Sequence, residues 1–580
     1  MAPSPGRSLY TREAAGLFTN LPFRYHDHNF HQEETNMKRS LALILAFVLI
    51  FGLLGCEPKA KGPENPDISG KYELDTARNE AIINDFGTIE TVTEGNCNIF
   101  YQIFVGSFSD SNGDGIGDLR GIINRMDYLN DGDPDSGLSL GIEGIWLTPI
   151  FLSPSYHKYD VTNYYEIDPQ FGTMEDLKDL IALCHQRGVK LILDLVLNHT
   201  ASNHKYFQEF RDAHNAGDTE NPYYNYYSWT AEPAGGKTWA PIGASGHHYE
   251  CNFSGTMPEP DFDNPQVFQH MVDVAKFYLD LGVDGFRFDA AKYIYFGEND
   301  RSVDFWVKYM KELRAIKPDI YTVGEVWDSD AITQPYAVAT NCFNFSMSQV
   351  EGQIATAAKG GDVNILMGYS QHYIDALKAI NPQAHMVTFI ANHDTDRAAG
   401  FLPASFGQAQ MAANLSILMP GSTFIYYGEE IGMKGARGGS NTDANRRLAM
   451  LWGDGDWVRN PEGSDYAAQQ INGTVLDQLP DGNSILSRYK KLIGIRKANP
   501  AIAYGEFTAL NLSGTYAGGY LATYQGATVA VIHNTGTEEV VIDLAAAGVT
   551  LREISAIAGT NATIKGDTLT LAPQTTVVLK

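Results

Sequence analysis

The sequence has few cysteines and a deficit of positive charge, and each shortage argues against a class of protein. Among its 580 residues are five cysteines, none of them paired in a C-x-x-C spacing, which argues against a cysteine zinc site. Lys and Arg together number 42 against 69 for Asp and Glu, so the net charge is −27. A surface of that sign repels phosphate backbones, and we therefore expect no nucleic-acid partner.

The apolar run near the N-terminus is too short to span a bilayer. It extends from Leu41 to Leu54, whereas a transmembrane helix needs about 20 residues. Because basic residues precede the run, residues 37–56 are predicted to be a secretory signal peptide. The closing "LLGC" resembles the lipobox of bacterial lipoproteins, which implies that Cys56 becomes lipidated. An uncleaved membrane anchor is the alternative.

This N-terminal organisation predicts where the protein is found. Residues 1–36 precede a methionine that makes a better start, so we expect a non-native or disordered extension there, and residues 57–95 are predicted to be a linker. The protein is then extracellular or in the bacterial cell envelope, attached to a membrane only by lipid at Cys56. The other four cysteines allow three disulfide pairings, although Cys184 lies in an amphipathic helical pattern and is expected to be a buried thiol.

From about residue 96, short apolar runs alternate with helical patterns. Continuous apolar strands separated by helices are typical of a parallel sheet, and eight such units predict an α/β fold of the (β/α)₈, or TIM-barrel, type. The barrel is predicted over residues 96–199 and 263–500, with an inserted domain at 200–262 and a C-terminal antiparallel β-sandwich at 501–580. The predicted strands are 98–108, 142–150, 189–199, 283–289, 319–325, 342–347, 385–394 and 422–430.

Several of these runs end in polar side chains, which a barrel would bring to one rim. The acids Asp289, Glu325 and Asp394 end the fourth, fifth and seventh strands, and Arg287 precedes the first of them. Two carboxylates that flank a glycosidic bond suffice for its hydrolysis, one as an acid and the other as a nucleophile or base. Any one of these acids could instead be a strand-end cap or half of an ion pair, but three on separate strands favour a catalytic site.

Four motifs carry a family resemblance. "DLVLNH" (194–199), "GFRFDAAKY" (285–293), "GEVWD" (324–328) and "FIANHD" (389–394) resemble, in this order, the signature regions of the α-amylase family, glycoside hydrolase family 13. The resemblance implies a retaining enzyme in which Asp289 is the nucleophile, Glu325 the general acid/base and Asp394 the transition-state stabiliser. It also implies a set of substrate-binding residues, namely Tyr159, Asp160, His199, Arg287, Lys292 and His393. "MPEPDF" (257–262) resembles a loosened form of a fifth signature region.

The segment "DSNGDGIGD" (110–118) places oxygen ligands at alternating loop positions, as calcium requires. The predicted Ca²⁺ ligands are Asp110, Asn112, Asp114, the carbonyl of Ile116, and Asp118. The alternative is an Asp/Asn/Gly turn that binds no ion. A second calcium site of the family would use Asn198, but Tyr293 stands where many members have a histidine, which argues against that site.

These observations favour a monomeric α-amylase that cuts internal α-1,4 bonds of starch and maltodextrins. Within the same class, oligo-1,6-glucosidase, α-glucosidase or neopullulanase-like activity is the alternative. A non-catalytic carbohydrate-binding or transporter-associated protein is a third possibility, but such relatives typically lose catalytic acids, and all three are present here.

Overall fold

The computed structural model describes residues 98–402 and 406–580. The predicted extension (1–36), signal peptide (37–56, with Cys56) and linker (57–95) lie outside these residues. Within the two described ranges, no helix is both long enough and apolar enough to cross a membrane.

Eight parallel strands form the central sheet, in the chain order predicted from the sequence. Their bounds are β1 Ile99–Ile103, β2 Gly144–Leu147, β3 Lys190–Leu195, β4 Gly285–Phe288, β5 Tyr321–Gly324, β6 Asn341–Cys342, β7 Val387–Phe389 and β8 Ser422–Tyr426. Neighbouring strands follow the order β6-β5-β4-β3-β2-β1-β8-β7. An isolated parallel bridge between Phe343, just past β6, and Val387 on β7 joins the two ends of the sheet. The predicted TIM barrel is confirmed.

Helices connect the strands and cover the outside of the barrel. The amphipathic helical pattern around Cys184 is present as helix Met174–Gln186, and a long helix, Asn299–Ile316, precedes β5. The others are Leu119–Asn124, Met126–Leu129, Pro265–Asp280, Asp330–Thr333, Gln353–Ala358, Val363–Ile380, Ala398–Phe401, Phe406–Ile417, Val475–Gln478, Ile485–Lys497 and Pro500–Tyr504. Short 3₁₀ turns lie at Val105–Ser107, Ala291–Tyr293, Gln334–Val338, Glu429–Ile431, Ala444–Arg446 and Ala467–Gln469.

The lower half of the barrel interior is filled by aromatic and branched side chains. The rings of Phe100 on β1 and Phe424 on β8 stack with centroids 4.7 Å apart. Gly144 on β2 makes this possible, because a Cβ there would lie 2.3 Å from the Phe100 ring. The interior of the barrel is therefore a packed core, and a ligand would have to bind at the carboxyl ends of the strands.

Between β3 and helix Pro265–Asp280 the chain forms a small excursion. It contains helix Lys205–Ala216 and an antiparallel sheet of three short strands, Trp229–Thr230, Trp239–Pro241 and His248–Glu250. A second, shorter excursion after β2 pairs Phe151–Leu152 with Asn163–Ile167. Both lie on the side of the barrel where the strands end, so they form walls around its mouth.

The C-terminal region folds into antiparallel sheets, as predicted. Its strands are β9 Glu506–Leu510, β10 Ala517–Tyr524, β11 Ala527–Asn534, β12 Val540–Asp543, β13 Ile554–Ala558, β14 Ala562–Lys565, β15 Thr568–Leu571 and β16 Thr575–Leu579. One sheet has five strands in the order β9-β10-β11-β16-β13, and the other has three in the order β12-β15-β14. Their apolar faces form a separate core that includes Ile532, Leu569 and Leu579.

Three cysteines fall within the described residues. Cys184, Cys251 and Cys342 are buried free thiols. The expectation of a buried thiol at Cys184 is thus confirmed, and burial raises its pKa, which makes it unreactive.

Candidate active site

Arg287 is the centre of the polar cluster at the mouth of the barrel. It lies on β4 and pairs in register with Asp194 on β3. Its Nη1 donates to Asp194 Oδ1 at 2.8 Å and to Asp289 Oδ1 at 2.6 Å, and its Nη2 lies 2.9 Å from Glu325 Oε1. Arg287 and Asp289 are two residues apart and share one side of the strand, as a period of two requires. One buried guanidinium therefore joins three carboxylates from three adjacent strands.

Glu325 follows directly after β5 and is held from two sides. Besides the contact with Arg287, its Oε2 accepts a hydrogen bond from the Ala290 backbone N–H at 3.1 Å. Ala290 has a φ of 47°, a left-handed conformation that is rare for a residue with a side chain. Strained backbone of this kind persists where the surroundings enforce it, and here it turns the chain after Asp289 so that its N–H faces Glu325.

Asp394 lies in the loop after β7 and completes the set of acids. Its Oδ2 is 3.0 Å from His393 Nε2, and its Oδ1 accepts a hydrogen bond from Arg447 Nη2 at 2.6 Å. Arg447 also donates to the His393 carbonyl and to the Tyr156 hydroxyl. This arginine therefore fixes both the backbone and the carboxylate of the loop. About a third of the Asp394 side chain (32%) remains exposed.

Tyr159 connects the two halves of the cluster. Its hydroxyl donates to Asp194 Oδ2 at 2.9 Å and lies 2.6 Å from His393 Nε2. The Tyr159 and His393 rings are parallel, with an interplanar angle of 3°. The preceding Lys158 has a φ of 65° and forms a buried 2.8 Å ion pair with Asp168, which anchors the segment.

The electrostatics separate the roles of the acids. Burial raises the pKa of Glu325, and the nearby Asp289 and Asp394 raise it further, against the pull of Arg287. Burial also raises the pKa of Asp289, but Arg287 opposes this with a charge and a short hydrogen bond. Burial alone would raise the pKa of Asp394, yet His393 and Arg447 outweigh it and hold that pKa well below its usual range. Asp394 is thus the acid most firmly held ionised.

Asp194 is a further buried acid, lying beneath the mouth. Burial raises its pKa to about 7, and Asp289 raises it while Arg287 lowers it. Trp146 Nε1 also lies 3.3 Å from its Oδ2. Asp194 does not reach the open cavity, so its contacts indicate that it orients Arg287 and Tyr159.

The remaining predicted substrate-binding residues surround this cluster without contacting the acids. Asp160 accepts hydrogen bonds from Ser155 and, at 2.8 Å, from Ser153. His199 is buried, and burial lowers its pKa to about 4, so it is neutral near pH 7. Lys292 donates to the Trp327 carbonyl and to Asp328, both at 2.8 Å, at the rim.

The predicted calcium loop closes on its own backbone. Asp110 accepts from the N–H groups of Asn112, Gly113 and Gly115, and Asn112 and Asp114 each accept from the N–H two residues on. Asp118 accepts from Ser111 and caps helix Leu119–Asn124. In the part of the chain that the structure describes, no three His, Cys, Asp or Glu side chains are gathered as a metal site. The loop does offer an all-oxygen donor set, which is the kind that calcium takes.

Sequence reasoning missed several members of the cluster. Asp194 carries a detectable signal, since it is an acid inside an apolar strand that itself begins a recognised motif. Gln102 and Trp146 on β1 and β2 look like ordinary strand residues, and Arg447 lies in an irregular segment 53 residues from Asp394. For these three residues no local pattern indicates a site.

Comparisons with known proteins agree with this geometry. The family model described as "Alpha amylase, catalytic domain" matches residues 102–505. "Alpha-amylase 3" of Dictyoglomus thermophilum is 35% identical over 501 residues, which are 83% of this chain and 93% of that protein. "Oligo-1,6-glucosidase" of Parageobacillus thermoglucosidasius is 30% identical over 529 residues, covering 75% of this chain and 89% of the relative.

A solved structure, "Eubacterium rectale Amy13B", superposes with a TM-score of 0.78 and 32% sequence identity, covering 84% of this chain and 96% of that one. The fold, the matched residues and the relatives agree. The chain belongs to the α-amylase family of glycoside hydrolases, family 13.

Proposed function

We propose that this enzyme is a retaining α-amylase that cleaves internal α-1,4-glucosidic bonds of starch and maltodextrins. The observation that carries the retaining mechanism is the single guanidinium of Arg287, which contacts both Asp289 and Glu325, and the 35% identity to "Alpha-amylase 3" supports the amylase specificity. Retaining glycosidases keep their two carboxylates about 5–5.5 Å apart, whereas inverting enzymes need room for a water between them. Two carboxylates within the span of one guanidinium fit the shorter spacing.

In the first step, Glu325 gives its proton to the glycosidic oxygen while an Asp289 oxygen attacks the anomeric carbon. The carbon–oxygen bond to the leaving sugar breaks, and a covalent glycosyl-enzyme forms on Asp289. In the second step, Glu325, now a carboxylate, takes a proton from water, and the water oxygen displaces Asp289. The raised pKa of Glu325 suits the acid role, and the short bond to Arg287 suits an ionised nucleophile.

Asp394, His393 and Tyr159 form the wall on the side of the attacked sugar. An ionised Asp394 binds sugar hydroxyls and stabilises the positive charge that develops on the ring at the transition state. The ring of Tyr159, held by the Tyr159 hydroxyl contacts, offers an apolar face for the sugar. Lys292 and Asp160 belong to the outer part of the same site in this proposal, and His199 lines it.

The test is the stereochemistry and length of the products. NMR of freshly formed oligosaccharides from maltoheptaose should show the α-anomer first, followed by slow mutarotation. Initial appearance of the β-anomer would refute the assignment of Asp289 as nucleophile.

Oligo-1,6-glucosidase activity is the second candidate, and a relative at 30% identity with that name favours it. Parallel digests of starch, pullulan and isomaltose separate the two. Rapid loss of starch iodine staining with isomaltose intact supports the endo-acting amylase, and glucose release from isomaltose supports the alternative.

We also propose that the loop formed by Asp110, Asn112, Asp114, the Ile116 carbonyl and Asp118 binds calcium. Each carboxylate oxygen has two lone pairs, so acceptor capacity remains beyond the backbone N–H groups already bound. Calcium would stabilise the loop that leads from β1 into the first helices and takes no part in the chemical steps. Titration calorimetry with CaCl₂ on the chelator-treated protein should show one site that is lost in Asp114→Ala. Equal binding by that variant would count against the loop.

A last proposal concerns location: the protein is exported and lipid-anchored at Cys56. Cells fed a radiolabelled fatty acid should label the wild type, and Cys56→Ser should remove the label and release activity from the envelope. Persistent labelling of the variant would contradict the lipobox assignment.

A further inference from the structure

The surroundings of His393 define its protonation state. Its Nε2 lies 3.0 Å from Asp394 Oδ2 and 2.6 Å from the Tyr159 hydroxyl oxygen. Its Nδ1 lies 2.7 Å from Nε2 of Gln102. The His393 side chain is fully buried, and Gln102 is 1% exposed. Every polar atom of the imidazole therefore has a protein partner.

With the amide nitrogen of Gln102 facing Nδ1, the donors and acceptors around the ring fit one tautomer. Asp394 is paired with Arg447, whose Nη2 donates to its Oδ1 at 2.6 Å, so this carboxylate can only accept and Nε2 of His393 must carry a proton. The Tyr159 hydroxyl donates to Asp194, which leaves its oxygen to accept from the same Nε2–H. On the other side, an amide nitrogen of Gln102 faces Nδ1, and an amide nitrogen can only donate. Nδ1 is then an acceptor without a proton, and the ring is neutral.

We propose that Gln102 is a positioning residue that donates a hydrogen bond to His393 Nδ1 and so keeps this histidine neutral, with its proton on Nε2 toward Asp394. Gln102 lies inside β1, which pairs in register with β2 on one side and β8 on the other, so these strands fix the position of its backbone. The inference rests on the proposed function, because it assigns His393 to the sugar-binding wall.

The neutral state has a chemical purpose in a glycosidase. The charged groups that face His393 are the cations Arg447 and Arg287, which disfavour an imidazolium, and the anions Asp394 and Glu325, which favour it. An imidazolium would place one more positive charge beside a sugar ring that itself becomes positive at the transition state. It would also weaken Asp394 as an anion, since it would form an ion pair with that carboxylate. A donor at Nδ1 prevents both effects.

Two substitutions separate this role from simple packing. Gln102→Glu keeps the shape but replaces a donor by a carboxylate that only accepts, which favours a proton on Nδ1 and hence an imidazolium. Gln102→Met keeps the volume and offers neither donor nor strong acceptor. A role in packing alone predicts similar behaviour of the two variants.

The first measurement is ¹⁵N NMR of histidine-labelled protein, with His393→Asn to assign the ring. In the wild type at pH 7 we expect a neutral ring with the proton on Nε2, and in Gln102→Glu an imidazolium. A proton on Nδ1 in the wild type, or an unchanged neutral ring in Gln102→Glu, would overturn the proposal. The readout needs no substrate, so failure of the proposed function and failure of this inference are distinguishable.

The second measurement is the pH profile of kcat on a maltodextrin. Gln102→Glu should lose about tenfold or more at pH 6, as a wrong histidine protonation state does in other enzymes, and recover as the pH rises and the proton leaves. Its KM should change little. Gln102→Met should show a smaller, pH-independent loss. Parallel pH profiles for the two variants would contradict the role of Gln102 in charge control.

Discussion

Replacing Glu325 by glutamine is the sharpest test of the assigned chemistry. The carboxylate accepts two hydrogen bonds, from Arg287 and from the Ala290 N–H. Glutamine has the same shape but one carbonyl oxygen, so it can satisfy only one of these donors. The lost bond costs about 1–3 kcal/mol of unfolding free energy, and relief from the charges of the neighbouring Asp289 and Asp394 offsets part of that cost. We therefore expect a folded variant.

The catalytic loss should be far larger than the stability loss, and it should depend on the leaving group. General acid–base catalysis contributes about 10²–10⁴-fold, which corresponds to about 3–5 kcal/mol of barrier. On starch, Glu325→Gln should lose that factor. On a maltoside with a chloronitrophenol leaving group, the first step needs no acid, so a burst of phenol should precede a slow second step.

Azide supplies the decisive observation, because it attacks the glycosyl-enzyme without needing a general base. Added azide should restore turnover of the aryl maltoside by Glu325→Gln and give an α-glycosyl azide. Glu175→Gln, an exposed substitution on helix Met174–Gln186, is the matched control and should behave as wild type. Equal losses on both substrates with no effect of azide would refute the acid/base role.

Three further predictions follow from buried charges. The pKa values of Asp289 and Glu325 are both raised, chiefly by burial, so kcat/KM should be bell-shaped. Activity should fall on the acid side as Asp289 gains a proton, at a pH above the ordinary value of 3.8, and fall again on the basic side as Glu325 loses its proton. An acid limb at or below pH 3.8 would contradict the burial of Asp289. Burial beside Glu250 raises the pKa of Glu259 to about 8, so the protonated side chain favours folding and this contribution is lost as the pH rises from 4.5 to 8. In urea titrations, the unfolding free energy of Glu259→Gln should therefore rise relative to wild type by up to about 1.4 kcal/mol per pH unit across that window. A difference that does not change with pH would contradict the raised pKa of Glu259. Lys158→Met should lower the unfolding free energy by about 3 kcal/mol or more, because it leaves Asp168 buried without its cation. In the same denaturation assay, a double variant that also carries Asp168→Asn should recover part of this loss.

The order of the barrel strands along the chain could be predicted because local sequence patterns indicate each strand. Apolar runs of the right length, separated by amphipathic helices such as Met174–Gln186, are each produced by a few neighbouring residues. The sixth strand is the least well predicted: the expected run 342–347 contains only the end of a two-residue strand, Asn341–Cys342. The residues after Cys342 close the barrel through one bridge, from Phe343 to Val387 on β7, and a turn. This closure depends on the position of β7 and not on the apolar pattern of residues 342–347.

The residues of the candidate site also differ in how far the sequence alone indicates them. Arg287, Asp289, Glu325, His393 and Asp394 lie in short motifs at strand ends, so the sequence indicates them, although their catalytic roles stay predictions. Asp160 stays a predicted substrate-binding residue, and only the structure shows that serines of its own turn bind its carboxylate.

By itself, then, the sequence determined the repeating units, the family and the acids at the strand ends, since each depends on residues close together in the chain. Only the tertiary structure decided which side chains meet: that one guanidinium joins Asp194, Asp289 and Glu325, that Arg447 holds Asp394, and that Gln102 on β1 reaches His393, which follows the next strand but one. The physical reason is that these contacts depend on strand register and on closure of the barrel, which bring together atoms that are as many as 291 residues apart in the chain.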